Sequence, residues 1–302
     1  MTNSRLRWTA PAVSLLLLVT ACGSQGETAN ADGAGQPEGA HPADAVVFQM
    51  TSIGGFGMPS ALASRIPALS VYGDGRVISE GPTILIYPGP ALPNLQVHPI
   101  APEDVSTLLE SARAAGVDGA VDFGTPALAD APTTRFTVRG ANGTEQIDVP
   151  ALTEAGDDAP GLTADQRAAR TRLRAFVASL TGESGLLAPA KGDSAKPYVP
   201  TAVAGITDLP AEGSAARGDS PSDVVFDINN PWPGPTLPGE PLGSGNGPGC
   251  VTVTGDALQT LIAAAAGETA TTPWTSDGKN WTVQLRPLLP DETSCGDLVA
   301  NG

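Results

Sequence analysis

Histidine is scarce in this chain: two residues, His41 and His98, in 302. Cysteine is nearly as rare, with Cys22, Cys250 and Cys295. A catalytic zinc ion wants three His, Cys or carboxylate ligands at workable spacing, and so few nitrogen and sulfur donors cannot supply the usual set. A Ser/His hydrolase sets its serine on a Gly-x-Ser-x-Gly elbow beside a histidine base. No such pentapeptide occurs, and His98, followed by Pro99, is the one histidine in the region expected to fold. Gly192-Asp193-Ser194 and Gly218-Asp219-Ser220 lie in sequence with little to bury. Asp227, Asn229 and Asn230 lack the glycine-containing twelve-residue loop of a calcium site. Gly54-Gly55-Phe56-Gly57 lacks the lysine of a phosphate loop. No cofactor and no metal is expected. Long hydrophobic runs are missing too, except for one short stretch near the start, and nothing else reaches the roughly 18 apolar residues of a spanning helix.

Positive charge is also in short supply. Arg5 and Arg7 are two of the sixteen Lys+Arg, and none of the 32 Asp+Glu precedes Cys22. Residues 22–302 therefore carry 14 cations against 32 anions, a formal charge of −18. A surface of that sign repels nucleic acid and anionic headgroups, so no nucleic-acid partner is expected.

What the N-terminus does hold is a short basic region followed by an apolar centre, Val13 and Leu15 to Val19. It has the length of a signal-peptide core and is too short to span a bilayer. It ends in Val19-Thr20-Ala21-Cys22, which resembles a bacterial lipobox. The resemblance implies that residues 1–21 are a signal peptide, that Cys22 is lipidated by diacylglycerol and further acyl chains such as palmitate, and that the protein sits on the extracytoplasmic face of the cell membrane. One acyl chain binds marginally; two or three anchor firmly. With Cys22 lipidated, Cys250 and Cys295 remain as an even pair in an oxidising compartment, and a disulfide is expected. The loop it closes, about 45 residues, gives roughly 4 kcal/mol in the chain-entropy model.

Residues 22–44 are Gly, Ala, Glu, Asp, Gln and Pro with almost nothing to bury, and read as a disordered tether that includes His41. The fold is expected from Ala45. Val46–Met50 reads as a strand; Asp74-Gly75 is a hairpin signal; Thr83–Tyr87 reads as a further strand. Pro102, Glu103 and Asp104 open a helix over 102–115 with Val105, Leu108, Leu109 and Ala112 on one face. Phe136, Val138, Asn142-Gly143, Ile147 and Val149 spell a hairpin. Thr163 and Gln166 form a capping box for a helix over 164–180. Residues 183–222 read as a linker or long loop, interrupted by a strand at 201–206. Val224–Ile228 and Cys250–Val253 read as strands, Thr254 as the cap of a third helix, and Trp281 to Arg286 as a final strand with one buried face.

The fold class is α+β: antiparallel strands and hairpins, about three helices, one disulfide. Helix followed by amphipathic strand occurs in both halves, so one body or two similar lobes, 45–182 and 223–302, are both open. Tyr72-Gly73-Asp74-Gly75, Tyr87–Leu95 and Arg286–Glu292 resemble an uncharacterised group of actinobacterial secreted proteins, which implies export and no particular activity.

Two features could carry binding. Arg167, Arg170 and Arg174 share a helical face and could hold a carboxylate or phosphate, against the plainer reading of a solvated face. Trp232, in Asn230-Pro231-Trp232-Pro233-Gly234-Pro235, could contact a peptide or glycan from a stiff loop, or fold over the core. The function expected is a non-catalytic binding or envelope-interaction lipoprotein. The alternatives are an exported hydrolase using paired carboxylates and a protease-inhibitor-like module built on the disulfide-clamped C-terminal part.

Overall fold

The computed structural model describes residues 41–140, 143–181, 184–188, 194–208, 230–243 and 247–299. The chain begins with β1 (Val46–Ile53) and the one-turn helix α1 (Pro59–Ala63). β2 (Leu69–Tyr72) and β3 (Arg76–Glu80) follow, then β4 (Leu95–Pro99) and α2 (Pro102–Ala114). The hairpin β5 (Thr133–Gly140) and β6 (Gly143–Pro150) leads to α3 (Ala164–Leu180). β7 (Lys196–Pro197), β8 (Ala202–Thr207), β9 (Glu240–Pro241) and β10 (Gly249–Thr254) come next. The chain continues through α4 (Gly255–Ala265), β11 (Pro273–Ser276), β12 (Lys279–Thr282), β13 (Gln284–Pro287) and α5 (Cys295–Val299). No described helix is long and apolar enough to cross a membrane.

Every strand pair among the described residues is antiparallel, which fits the α+β expectation. The larger sheet runs β6-β5-β1-β2-β3-β4-β7, the smaller β13-β8-β10-β9, with β11 and β12 as a separate hairpin. β1 lies inside the sheet, between β5 and β2, and its Val47 and Phe48 are fully buried. The register of β1 against β2 shifts between Val46 and Phe48, and such a bulge re-aims neighbouring side chains; both Val47 and Phe48 reach the same core. There Phe48 meets Phe176 of α3 edge-on, centroids 5.9 Å apart, and Leu108 of α2 and Leu173 of α3 complete the packing. The capping box of α3 forms as its spelling predicts: Thr163 Oγ1 accepts from the Gln166 amide, and Gln166 Oε1 from the Thr163 amide.

A second core gathers Trp232, Trp274, Val253, Leu258 and Leu261. Tyr72, Ile78 and Leu95 of the larger sheet pack with Leu289, which lies beyond β13. Ala40–Gly302 accordingly makes one compact unit. The segment read as a linker contributes β7 to the larger sheet and β8, buried throughout, to the smaller one. The Cys250–Cys295 disulfide is present, joining β10 to α5 with Cα atoms 6.1 Å apart.

Three local expectations need correction. Thr83–Tyr87 is not a strand. The final strand is two, because Trp281 in β12 pairs with β11 while Leu285 in β13 pairs with β8. Thr254 precedes α4 without a side-chain capping bond. Val224–Ile228 and Asn142 lie outside the described residues.

Candidate functional site

The site starts from the ends of β3 and β4. After Glu80 the chain leaves the sheet and returns at Leu95, and the neck is clamped. The Gly81 amide donates to Asn94 O at 2.7 Å, and Asn94 Nδ2 to Pro82 O at 2.8 Å. Further out the loop is stapled to the segment after α4: Ala91 N to Glu268 O and Ala270 N to Gly89 O, both 2.9 Å. Pro82, Pro88, Pro90 and Pro93 fix φ and remove donors along the way.

Between these fixed points stand Ile84, Leu85, Ile86 and Tyr87, exposed by 68, 102, 55 and 94%. Scattered apolar residues on a surface are ordinary; four in a row are not. The sequence reads this run as a strand because β-branched and aromatic residues favour pleated, half-buried settings. No sheet edge pairs with it, and the Ile86 amide turns back to Ile84 O at 2.9 Å. The prolines on both sides and the absence of alternation are the signals that mark a loop.

Beneath the loop lies a groove of about 730 Å³. Its walls include Ile66, Leu92 and Leu285, and among the described residues Arg65 and Glu80 are its only ionisable lining residues. The Arg65 guanidinium is engaged with Gly54 O at 2.6 Å, which ties the groove to the loop carrying Phe56 and Met58, exposed by 88 and 62%.

The arginines and tryptophan singled out in the sequence lie elsewhere. Arg170, read as a ligand-binding residue or as part of a solvated face, is buried. Its Nη atoms donate to Phe123 O at 3.2 Å, Pro150 O at 2.7 Å and Ala151 O at 2.6 Å. Arg174 pairs with Asp157 and reaches Leu152 O and Ala155 O at 3.4 Å; Arg167 reaches Ala159 O at 3.4 Å. The turns after β6 leave carbonyls unsatisfied by any ladder, and α3 supplies their donors. Trp232 folds over the core, 8% exposed, its Nε1 donating to Pro235 O at 2.8 Å and its ring edge-on to Trp274 at 5.5 Å. Gly205 makes room: a Cβ there would lie 2.8 Å from the Trp232 ring. His98 is buried, with Nε2 2.7 Å from Leu187 O.

One cluster of titratable groups is buried. Arg286 and Glu292 pair bidentately, Nη2 to Oε1 at 2.8 Å, with side chains 2 and 1% exposed. Glu292 Oε2 also accepts from the Leu289 amide at 2.8 Å. Beside them Tyr72 donates to Asp291 Oδ1 at 2.7 Å. Burial, reinforced by the charge of Glu292, raises the Asp291 carboxyl above its ordinary value, the Tyr72 hydrogen bond opposing. Burial likewise pushes the Tyr72 hydroxyl well up, with Asp291 adding to it, and takes Tyr198 up to about 12. Each polar group here faces a protein partner, and neither Asp291 nor Glu292 lines the groove. Among the described residues no group of three His, Cys, Asp or Glu could hold a metal ion.

Compared with protein-family models, with curated protein sequences and with solved structures, the chain matches none.

Proposed function

We propose that this protein is a membrane-anchored extracytoplasmic lipoprotein whose folded body is a non-catalytic binding module, with the groove under Pro82–Asn94 as its binding surface. The observation that carries the reading is the conjunction of a sizeable groove with four exposed apolar side chains on a loop held at both ends. Binding sites are concave and mostly apolar. Chemistry would need convergent titratable groups, and among the described residues Glu80 is the one carboxylate on these walls. A two-carboxylate hydrolase finds no pair there among the described residues. The lipobox-like Val19–Cys22 supports a location outside the cytoplasm on a lipid anchor.

The test uses the chain from residue 22 with Cys22→Ser and the disulfide intact. Melting temperature is followed against muropeptides, glycans, lipids, peptides and divalent metals. A ligand at a hundred times its dissociation constant stabilises by about 2.7 kcal/mol, enough to shift the transition visibly. We expect a shift with one class, abolished by Ala61→Trp, which fills the groove from an exposed position. A flat response across all classes, or a shift that Ala61→Trp leaves untouched, rejects the groove as the binding surface.

A further inference from the structure

We infer that the Ile84–Tyr87 tip is a membrane-contacting element: it rests in the interfacial layer of the bilayer to which Cys22 ties the chain. This names the partner of the groove's outer rim and rests on the anchored reading above.

The first argument is charge. Residues 81–102 include no Asp, Glu, Lys or Arg, in a chain that has 48 of them. An acidic body is repelled by anionic headgroups, and a stretch that brings no charge adds nothing to that repulsion. The second is composition. Three aliphatic side chains beside a tyrosine suit the boundary between acyl chains and headgroups, where aromatic residues with a polar tip are enriched. Phe56 and Met58, on the loop bound to Arg65, add apolar surface of the same kind.

The third argument separates a lipid surface from a protein partner. An added strand would need free amides along the tip. Pro82 and Pro88, which bound the tip, have none, and the Ile86 amide is already taken by Ile84 O within the tip. A bilayer asks for no hydrogen bonds from the loop. The clamped neck also keeps these side chains out of the core, so their exposure is built into the backbone rather than left over from loose packing.

Reach is the last condition. The chain enters the fold beside Gly73, whose amide donates to Ala45 O at 2.9 Å. β3 runs from that turn to the loop, five residues or about 17 Å away. The length of chain from Cys22 to Asp44 reaches at most about 80 Å. Anchor and tip can therefore meet one bilayer together. Confinement near the surface makes a weak contact effective, as for any second site on a short linker.

The experiment reconstitutes the lipidated protein carrying Leu85→Cys, labelled with an environment-sensitive fluorophore, into phosphatidylcholine vesicles. Glu110→Cys on exposed α2 serves as reference. We expect the label at 85 to shift to the blue and to be quenched by lipid-borne quenchers, while the label at 110 behaves as in water. In the unlipidated Cys22→Ser chain, Leu85→Glu should lower vesicle partitioning at least about tenfold. If the lipidated protein floats with the vesicles but position 85 stays in water, the inference is overturned and the anchor stands. If position 85 enters vesicles although protein from cells has no lipid on Cys22, the tip contact holds and the anchored reading fails. A blue shift that needs protein concentration rather than vesicles would mean self-association and would also overturn it.

Discussion

At the scale of single residues, position 291 sets a pH dependence. The folded protein holds the Asp291 carboxyl above its ordinary value of 3.8, mainly by burial. A carboxyl raised by folding favours the native state in its protonated form. Its contribution is complete below the ordinary value and is lost as pH rises through the raised one. Asp291→Asn keeps an oxygen for the Tyr72 hydroxyl and removes the buried charge. We expect the variant to be more stable than the parent at pH 7, with the difference vanishing toward pH 3. Urea unfolding across that range measures it; a variant weaker at pH 7 and equal nowhere would contradict the sign. Glu292 differs, since its charge is matched by Arg286, and removing one partner of such a pair costs about 3–5 kcal/mol.

At the scale of elements, local chemistry that depends on neighbours in sequence was readable. The capping box of Thr163 and Gln166, the Asp74-Gly75 turn, the apolar face of α2 and the alternation in β5 and β6 all rely on contacts within a few residues. Elements chosen by distant contacts were not readable. Thr83–Tyr87 has strand composition but no edge to pair with. Trp281–Arg286 has strand alternation, yet different partners claim its two ends. The arginines of α3 show helical spacing, and only the fold reveals the carbonyls after β6 that draw Arg170 inward. The site suffered most: the groove exists because a loop from the first half is stapled to residues 268–270 of the second, and no local pattern reports such a meeting. The disulfide was legible by counting. Its removal by Cys250→Ser/Cys295→Ser should destabilise by roughly 4 kcal/mol if chain entropy dominates, read as a lower denaturation midpoint. An unchanged midpoint would mean the smaller sheet and α5 hold without it.

At the scale of the molecule, address and architecture make separate claims. On the proposed reading, the acidic body keeps the folded part off anionic surfaces and the lipobox-like start carries the anchor. Cys22→Ser should move the protein in cells from the membrane fraction to the medium, assayed by fractionation and by intact mass for the acyl chains. A variant that stays on the membrane with its mass unchanged would refute lipidation at this residue.

The placement of Leu289 against Tyr72, Ile78 and Leu95 has a consequence for biogenesis. Synthesis delivers the N-terminal strands first. A nascent chain of 200 residues already holds all seven strands of the larger sheet, but the patch that Leu289 covers stays open. β8 likewise waits for β13, and Cys250 waits for Cys295. The closing stretch, Gln284 to Cys295, thus acts as the latch of the whole body, and a ribosome that stops short of it releases a chain with its seam uncovered.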